Sequence, residues 1–201
     1  IMFISVVFYI NSLGQSTSVL ESNSSSVILR IEPKYKVSDI NINGTIYKQI
    51  YCDDSYTDAI PGMPQLPKLS FNLAVPSETG NIIRITASSF KEISGKILPA
   101  PKYNSSSGEG FYVYEESDDY YKPIETETVN FGEFGYIRQE AVQQIIVEPV
   151  IFNPSSKTIK LAEYLIVEVK FNTPLIYKGK SGNFAERQGV LNNEYGSSVS
   201  E

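Results

Sequence analysis

The sequence predicts an all-β chain: an antiparallel β-sandwich with Pro/Gly-rich turns and little helix. Three observations carry this. Short segments alternate apolar and polar residues with period two, the spacing that puts one side of a strand on a core. Clusters of Pro, Gly, Ser and Asn separate them, and these residues set turns through fixed or permissive φ and local side-chain hydrogen bonds. No stretch sustains an apolar period of about 3.6 residues with helix caps.

The segments follow in order. In Val27-Ile-Leu-Arg-Ile-Glu32 the residues Val27, Leu29 and Ile31 share a face. In Ile82-Ile-Arg-Ile-Thr-Ala87 the inward set is Ile83, Ile85 and Ala87. Phe111-Tyr-Val-Tyr-Glu115 sets Phe111 and Val113 against Tyr112 and Tyr114. Each reads as a half-buried strand. Glu140-Ala-Val-Gln-Gln-Ile145 admits a helical turn, but its β-branched surroundings favour strand. From Val142 to Phe152 the chain is β-branched and aromatic, Asn153-Pro-Ser-Ser-Lys157 is turn chemistry, and Ile159, Leu161, Leu165, Val167, Val169 and Phe171 return on one parity. The pattern predicts a hairpin with long arms, with Glu163 marking a bulge or an exposed stretch. Pro61, Pro64 and Pro67 hold an extended connection that cannot donate to a ladder, and Gly62 there permits positive φ or close backbone approach.

The ends have a different character. Ile1 to Ile10 is an apolar run too short to span a bilayer, followed by Asn11-Ser-Leu-Gly-Gln-Ser16. Residues 1–16 therefore read as the remnant of a signal peptide whose charged start precedes Ile1; a buried strand is the alternative. Residues 17–26, rich in Ser, read as a flexible segment, 27–172 as the sandwich, and 173–201 as a linker toward a missing domain.

Composition narrows the chemistry. At 201 residues, 41% apolar and 20% charged, the chain can bury a core. It contains no His and one Cys, Cys52. Cys–His and Ser–His–Asp catalysis need an imidazole base, and zinc sites draw mostly on His and Cys, so the chain alone supports none of these. The net charge is −6, without a basic run to follow phosphates, so a nucleic-acid partner is not expected. Neither a metal nor another cofactor is expected. Asp53, Asp54 and Asp58 match no calcium-loop spacing and read as solvated surface. Cys52 reads as a small, partly buried apolar residue. Asn23, Asn43 and Asn104 head glycosylation sequons.

Three elements together carry a resemblance. They are Gly62-Met-Pro-Gln-Leu-Pro67 leading into Leu69-Ser-Phe-Asn-Leu-Ala-Val-Pro76; Ile97-Leu-Pro-Ala-Pro-Lys102; and Ile145-Ile-Val-Glu-Pro-Val-Ile-Phe-Asn-Pro-Ser-Ser-Lys-Thr-Ile-Lys160, followed by Ile166-Val-Glu-Val-Lys-Phe171. In order and spacing, over Val27 to Asn172, this resembles the N-terminal prodomain of gingipain-type cysteine peptidases. The resemblance implies a non-catalytic β-sandwich that assists folding of a downstream peptidase domain and masks its cleft until proteolytic removal. That domain would be an intramolecular partner bearing the Cys–His dyad, with Cys52 outside it. It also implies a secreted bacterial precursor, extracellular or at the cell surface, with no membrane contact in the mature domain. Gingipain-like enzymes prefer Arg or Lys, so the implied inhibitory residue is a lysine on an exposed loop: Lys102, on the most loop-like segment after a rigid Pro exit, or Lys122, which follows an acidic stretch but after which Pro123 would block cleavage. Lys178, Lys180 and Arg187 are the implied processing positions.

Two rival readings stand beside this. One is a stand-alone secreted β-sandwich that binds a surface protein or glycan through its 14 tyrosines, although Trp, the preferred sugar platform, is absent. The other is a hydrolase using carboxylates alone, for which no acidic pair stands out. Coding sequence downstream of Glu201 separates the prodomain from the free module.

Overall fold

The computed structural model describes residues 17–105, 110–122, 127–137, 140–173 and 190–191. Two sheets form the sandwich. In the first, β1 (Thr17–Ser22) pairs with β2 (Ser26–Ile31), and β2 with the C-terminal half of β14 (Thr158–Lys170). β13 (Val150–Asn153) continues beside the N-terminal half of β14, and β7 (Ile82–Ser94) covers β14's opposite edge. The second sheet runs β11 (Val129–Ile137), β12 (Glu140–Val147), β6 (Pro67–Ala74). On the far side of β6 lie β5 (Ser55–Thr57), antiparallel, and β15 (Val190–Leu191), parallel.

Alternation explains the packing. Val27, Leu29 and Ile31 of β2, with Leu165, Val167 and Val169 of β14, are all fully buried. They join Leu69, Leu73, Ile145 and Val147 of the facing sheet in one cluster. At roughly 1.5–3 kcal/mol for each buried aliphatic side chain, this inter-sheet layer is the main source of stability.

A second, smaller unit sits at one end. β3 (Tyr35–Ile42) and β4 (Thr45–Cys52) form a hairpin whose Asn43-Gly44 turn has positive φ at both residues, as a tight turn between right-twisted strands requires. β8 (Lys96–Ile97) adds parallel to β4. Ile50 and Ile97 from this sheet cluster with Val150, Phe152, Ile159 and Leu161. β9 (Lys102–Asn104) and β10 (Phe111–Val113) form a separate two-stranded ribbon, and η1 (Asp118–Tyr121) is a single 3-10 turn.

Several expectations need correction. Residues 17–22 form a bulged edge strand on β2 instead of a flexible segment. The predicted long hairpin is divided: Pro149, which has no ladder donor, follows Glu148, so β12 belongs to one sheet and β13 to the other. Only four residue pairs, Val150↔Leu161 through Asn153↔Thr158, form the hairpin itself. Its turn is closed as anticipated, with the Ser156 N–H donating to Asn153 Oδ1 at 3.1 Å. One of the two register shifts between β14 and β7 falls between Ala162 and Tyr164, leaving Glu163 exposed. β7 is a strand, but it lies at an edge: Ile83 is half-buried, whereas Ile85 and Ala87 are exposed. Phe111 is exposed as well, so the ribbon is not half-buried. Within the stretch expected to be a linker, Val190–Leu191 pairs with Asn72 and Leu73.

Candidate functional site

The ribbon leaves the molecule from a rigid base. Pro99 and Ala100 are buried, and the Pro-rich segment before β6 is bonded to them. The Gly62 N–H donates to Ala100 O (2.9 Å), Ala100 N–H to Met63 O (2.8 Å) and Gln65 N–H to Leu98 O (3.0 Å). The chain returning from the ribbon completes the base, with Ser117 N–H donating to Gly62 O at 3.0 Å. Gly62 has φ +80°, and a Cβ there would meet Ser117 Cβ at 2.8 Å and Ser117 N at 2.9 Å. Positive φ and close approach therefore both hold at this position.

A polar clamp fixes the return chain. Glu116 Oε1 accepts from Tyr47 OH and from Lys96 Nζ, each at 2.8 Å, and Glu116 Oε2 accepts from Tyr121 OH. Lys96 Nζ also donates to Tyr121 OH at 2.8 Å. Burial pushes the Glu116 carboxyl upward, but the hydrogen bonds from Lys96, Tyr121 and Tyr47 outweigh it and hold the group below 4.5. Burial and then the shared carboxylate push Tyr47 up to about 12. Tyr120 is fully buried, donates its hydroxyl to Ile97 O and lies edge-on to Phe152. Burial is the first cause of its raised pKa.

The ribbon presents aromatic rings. Tyr103 and Tyr112 are directly opposed and pack edge-to-face, with centroids 5.4 Å apart. Tyr103 is 59% exposed, Tyr112 66% and Phe111 49%. Gly110 makes room for the Tyr103 hydroxyl, which a Cβ would overlap at 1.7 Å.

The candidate residues fall in different places. Lys102 opens β9 opposite Val113, exposed, at the base of the ribbon. Lys122 follows η1 with its side chain 73% exposed, and its ion pair with Asp119 (2.5 Å) raises its pKa. In sequence the two lysines flank the ribbon, Lys102 at its first residue and Lys122 nine positions after its last. Lys178, Lys180 and Arg187 lie outside the described residues. Cys52 is buried in the main cluster, and burial pushes its thiol up to about 11. Asp58 pairs with Lys68 at 2.8 Å. The sequence reading missed Tyr47, Lys96, Glu116 and Tyr120. The alternation around Phe111 was a visible signal for the ribbon, but nothing local marks the clamp.

The sequence model of the family described as Propeptide_C25 matches residues 14–198. The chain belongs to the C25 propeptide family. No curated protein matches this C25 propeptide in sequence. Among solved structures, it is similar to a chain in a complex of Porphyromonas gingivalis RgpB pro- and mature domains. The TM-score is 0.73 at 18% identity, covering 90% of this chain and 98% of that one. It is also similar to gingipain K from Porphyromonas gingivalis, in a structure concerned with zymogenic latency, with TM-score 0.61, 13% identity and coverage of 81% and 96%. At these identities the likeness establishes the β-sandwich fold. Among the described residues no helix is long and apolar enough to cross a membrane.

Proposed function

We propose that this prodomain of a gingipain-type cysteine peptidase precursor assists folding of the peptidase domain and occludes its active-site cleft, with Lys122 as the residue that mimics a substrate. The observation that carries the reading is the family match over residues 14–198. Without His the chain holds no imidazole dyad, so the chemistry belongs to the peptidase and the prodomain acts by occupying space.

Lys122 suits the role for three reasons. It stands on a built pedestal, since buried Tyr120 and clamped Tyr121 fix the two residues before it. Its partner Asp119 is exposed, so exchanging that ion pair for one inside a pocket costs little. Pro123 follows, and a bond preceding proline places a ring where a substrate offers an N–H. A lysine seated there binds without being cut. Lys102 is the second candidate, because it is also exposed but is positioned through ribbon pairing.

Inhibition of the cognate peptidase by the purified chain tests this. Lys122→Ala should raise the inhibition constant at least about tenfold, since a desolvated charge contact is worth more than that factor. Lys102→Ala should have the smaller effect, and unchanged constants for both would end the assignment. The precursor is read as secreted and bacterial, to the cell surface or beyond. Removal of the domain is read as cleavage after Lys178, Lys180 or Arg187. Sequencing the N-terminus of the mature peptidase decides this, and a start elsewhere discards those positions.

A further inference from the structure

The ribbon exposes more aromatic surface than its own stability explains. A two-stranded hairpin alone is marginal in water, and this one hydrogen-bonds to no third strand among the described residues. Yet Tyr103, Phe111 and Tyr112, all exposed, crowd into three residue pairs. Its base, by contrast, is locked by the bonds around Gly62 and by the Glu116 clamp. A rigid base under exposed rings is the arrangement of an interface anchor, in which tyrosine supplies apolar area and a hydroxyl at low entropic cost.

We propose that Tyr103, Phe111 and Tyr112 form a second contact surface that docks on the peptidase domain outside its cleft, and so supplies affinity that does not depend on the inhibitory lysine. The inference rests on the prodomain reading above. Two observations select the peptidase as occupant. Val113, the last ribbon residue, and Lys122 are nine positions apart in the sequence, at most about 30 Å even if extended. A domain that holds Lys122 is therefore brought to the ribbon. Between them Glu115, Asp118 and Asp119 are exposed, so the matching surface is an apolar shelf bordered by Lys or Arg.

The test compares the wild-type chain with a Tyr103→Ser/Tyr112→Ser variant, binding each to the cognate peptidase with its catalytic thiol either free or capped by a small covalent inhibitor that fills the cleft. Wild type should retain measurable affinity for the capped enzyme. The double variant should lose that affinity, and should bind the free enzyme at least about tenfold more weakly, with its thermal midpoint unchanged. A p-azidophenylalanine in place of Tyr112 should photo-crosslink to the peptidase, which decides the matter should the double variant fold poorly. Loss of all wild-type affinity on capping, or equal affinities of the two chains, overturns the proposal. So does a concentration-dependent dimer of the chain that the double variant abolishes while peptidase binding persists, since the occupant is then a second copy. If the wild-type chain neither binds nor inhibits the free enzyme, the prodomain reading itself falls. Inhibition abolished by Lys122→Ala but untouched by the ring substitutions removes only the second surface.

Discussion

Between the two large sheets, Val27, Leu29 and Ile31 of β2 and Leu165, Val167 and Val169 of β14 reach zero exposure against aliphatic side chains of β6 and β12. At the ribbon's base the same chain is held quite differently: a carboxylate accepts from two tyrosines and a lysine, and a buried tyrosine hydroxyl bonds a backbone carbonyl. Aliphatic packing is non-directional and tolerates small shifts, so it gives stability without fixing where a loop points. Hydrogen bonds to a charged group are directional and are worth only about 1.5–3 kcal/mol each. The contrast teaches a separation of tasks, in which one region keeps the domain folded and the other aims a surface.

Three substitutions probe this separation. Leu29→Ala, at a fully buried site, should cost about 2–5 kcal/mol of stability by urea unfolding, while the molecules that remain folded bind peptidase as before. A midpoint within experimental error of wild type would break the comparison at its stronger end. Gly62→Ala forces a side chain into positive φ against backbone and should cost about 1–3 kcal/mol. Its signature is local: exchange of the Ala100 and Ser117 amides should quicken far more than that of Val167. Uniform acceleration would mean the base is part of the core.

The smallest effect is expected for Glu116→Gln, about 1 kcal/mol near neutral pH. Because the folded-state carboxyl lies below its ordinary 4.5, the clamp contributes fully above that value and fades as pH falls through the lowered one. Wild type and variant should therefore converge in acid when thermal midpoints are followed against pH. A gap that persists in acid would assign the loss to packing instead of charge.

The core was legible because its information is local. Val27, Leu29 and Ile31, and the odd-numbered run from Ile159 to Val169, state their burial in alternation alone, and Glu163 marked the bulge. Alternation does not say whether a face is covered, which is why β7 and the ribbon were read as half-buried when β7 is an edge strand and the ribbon pairs with no third strand among the described residues. The divided hairpin had a visible cause in Pro149, outweighed by the apolar run around it. The clamp was not legible at all, since Glu116 meets Tyr47 across 69 residues and Lys96 across 20. Nothing in either neighbourhood requires the encounter.

The turn at Glu148 and Pro149 has a mechanical meaning. Glu148 N–H donates to Thr128 O and its carboxylate meets Lys68 at 2.9 Å, while Pro149 O accepts from Ala162 N–H and Tyr35 OH. Two adjacent residues thus stitch β12 in one sheet to β13 in the other. Neither sheet can peel away without dragging the other's strand out of register. The sandwich should yield as one cooperative unit, so that the two sheets lose their amide protection together.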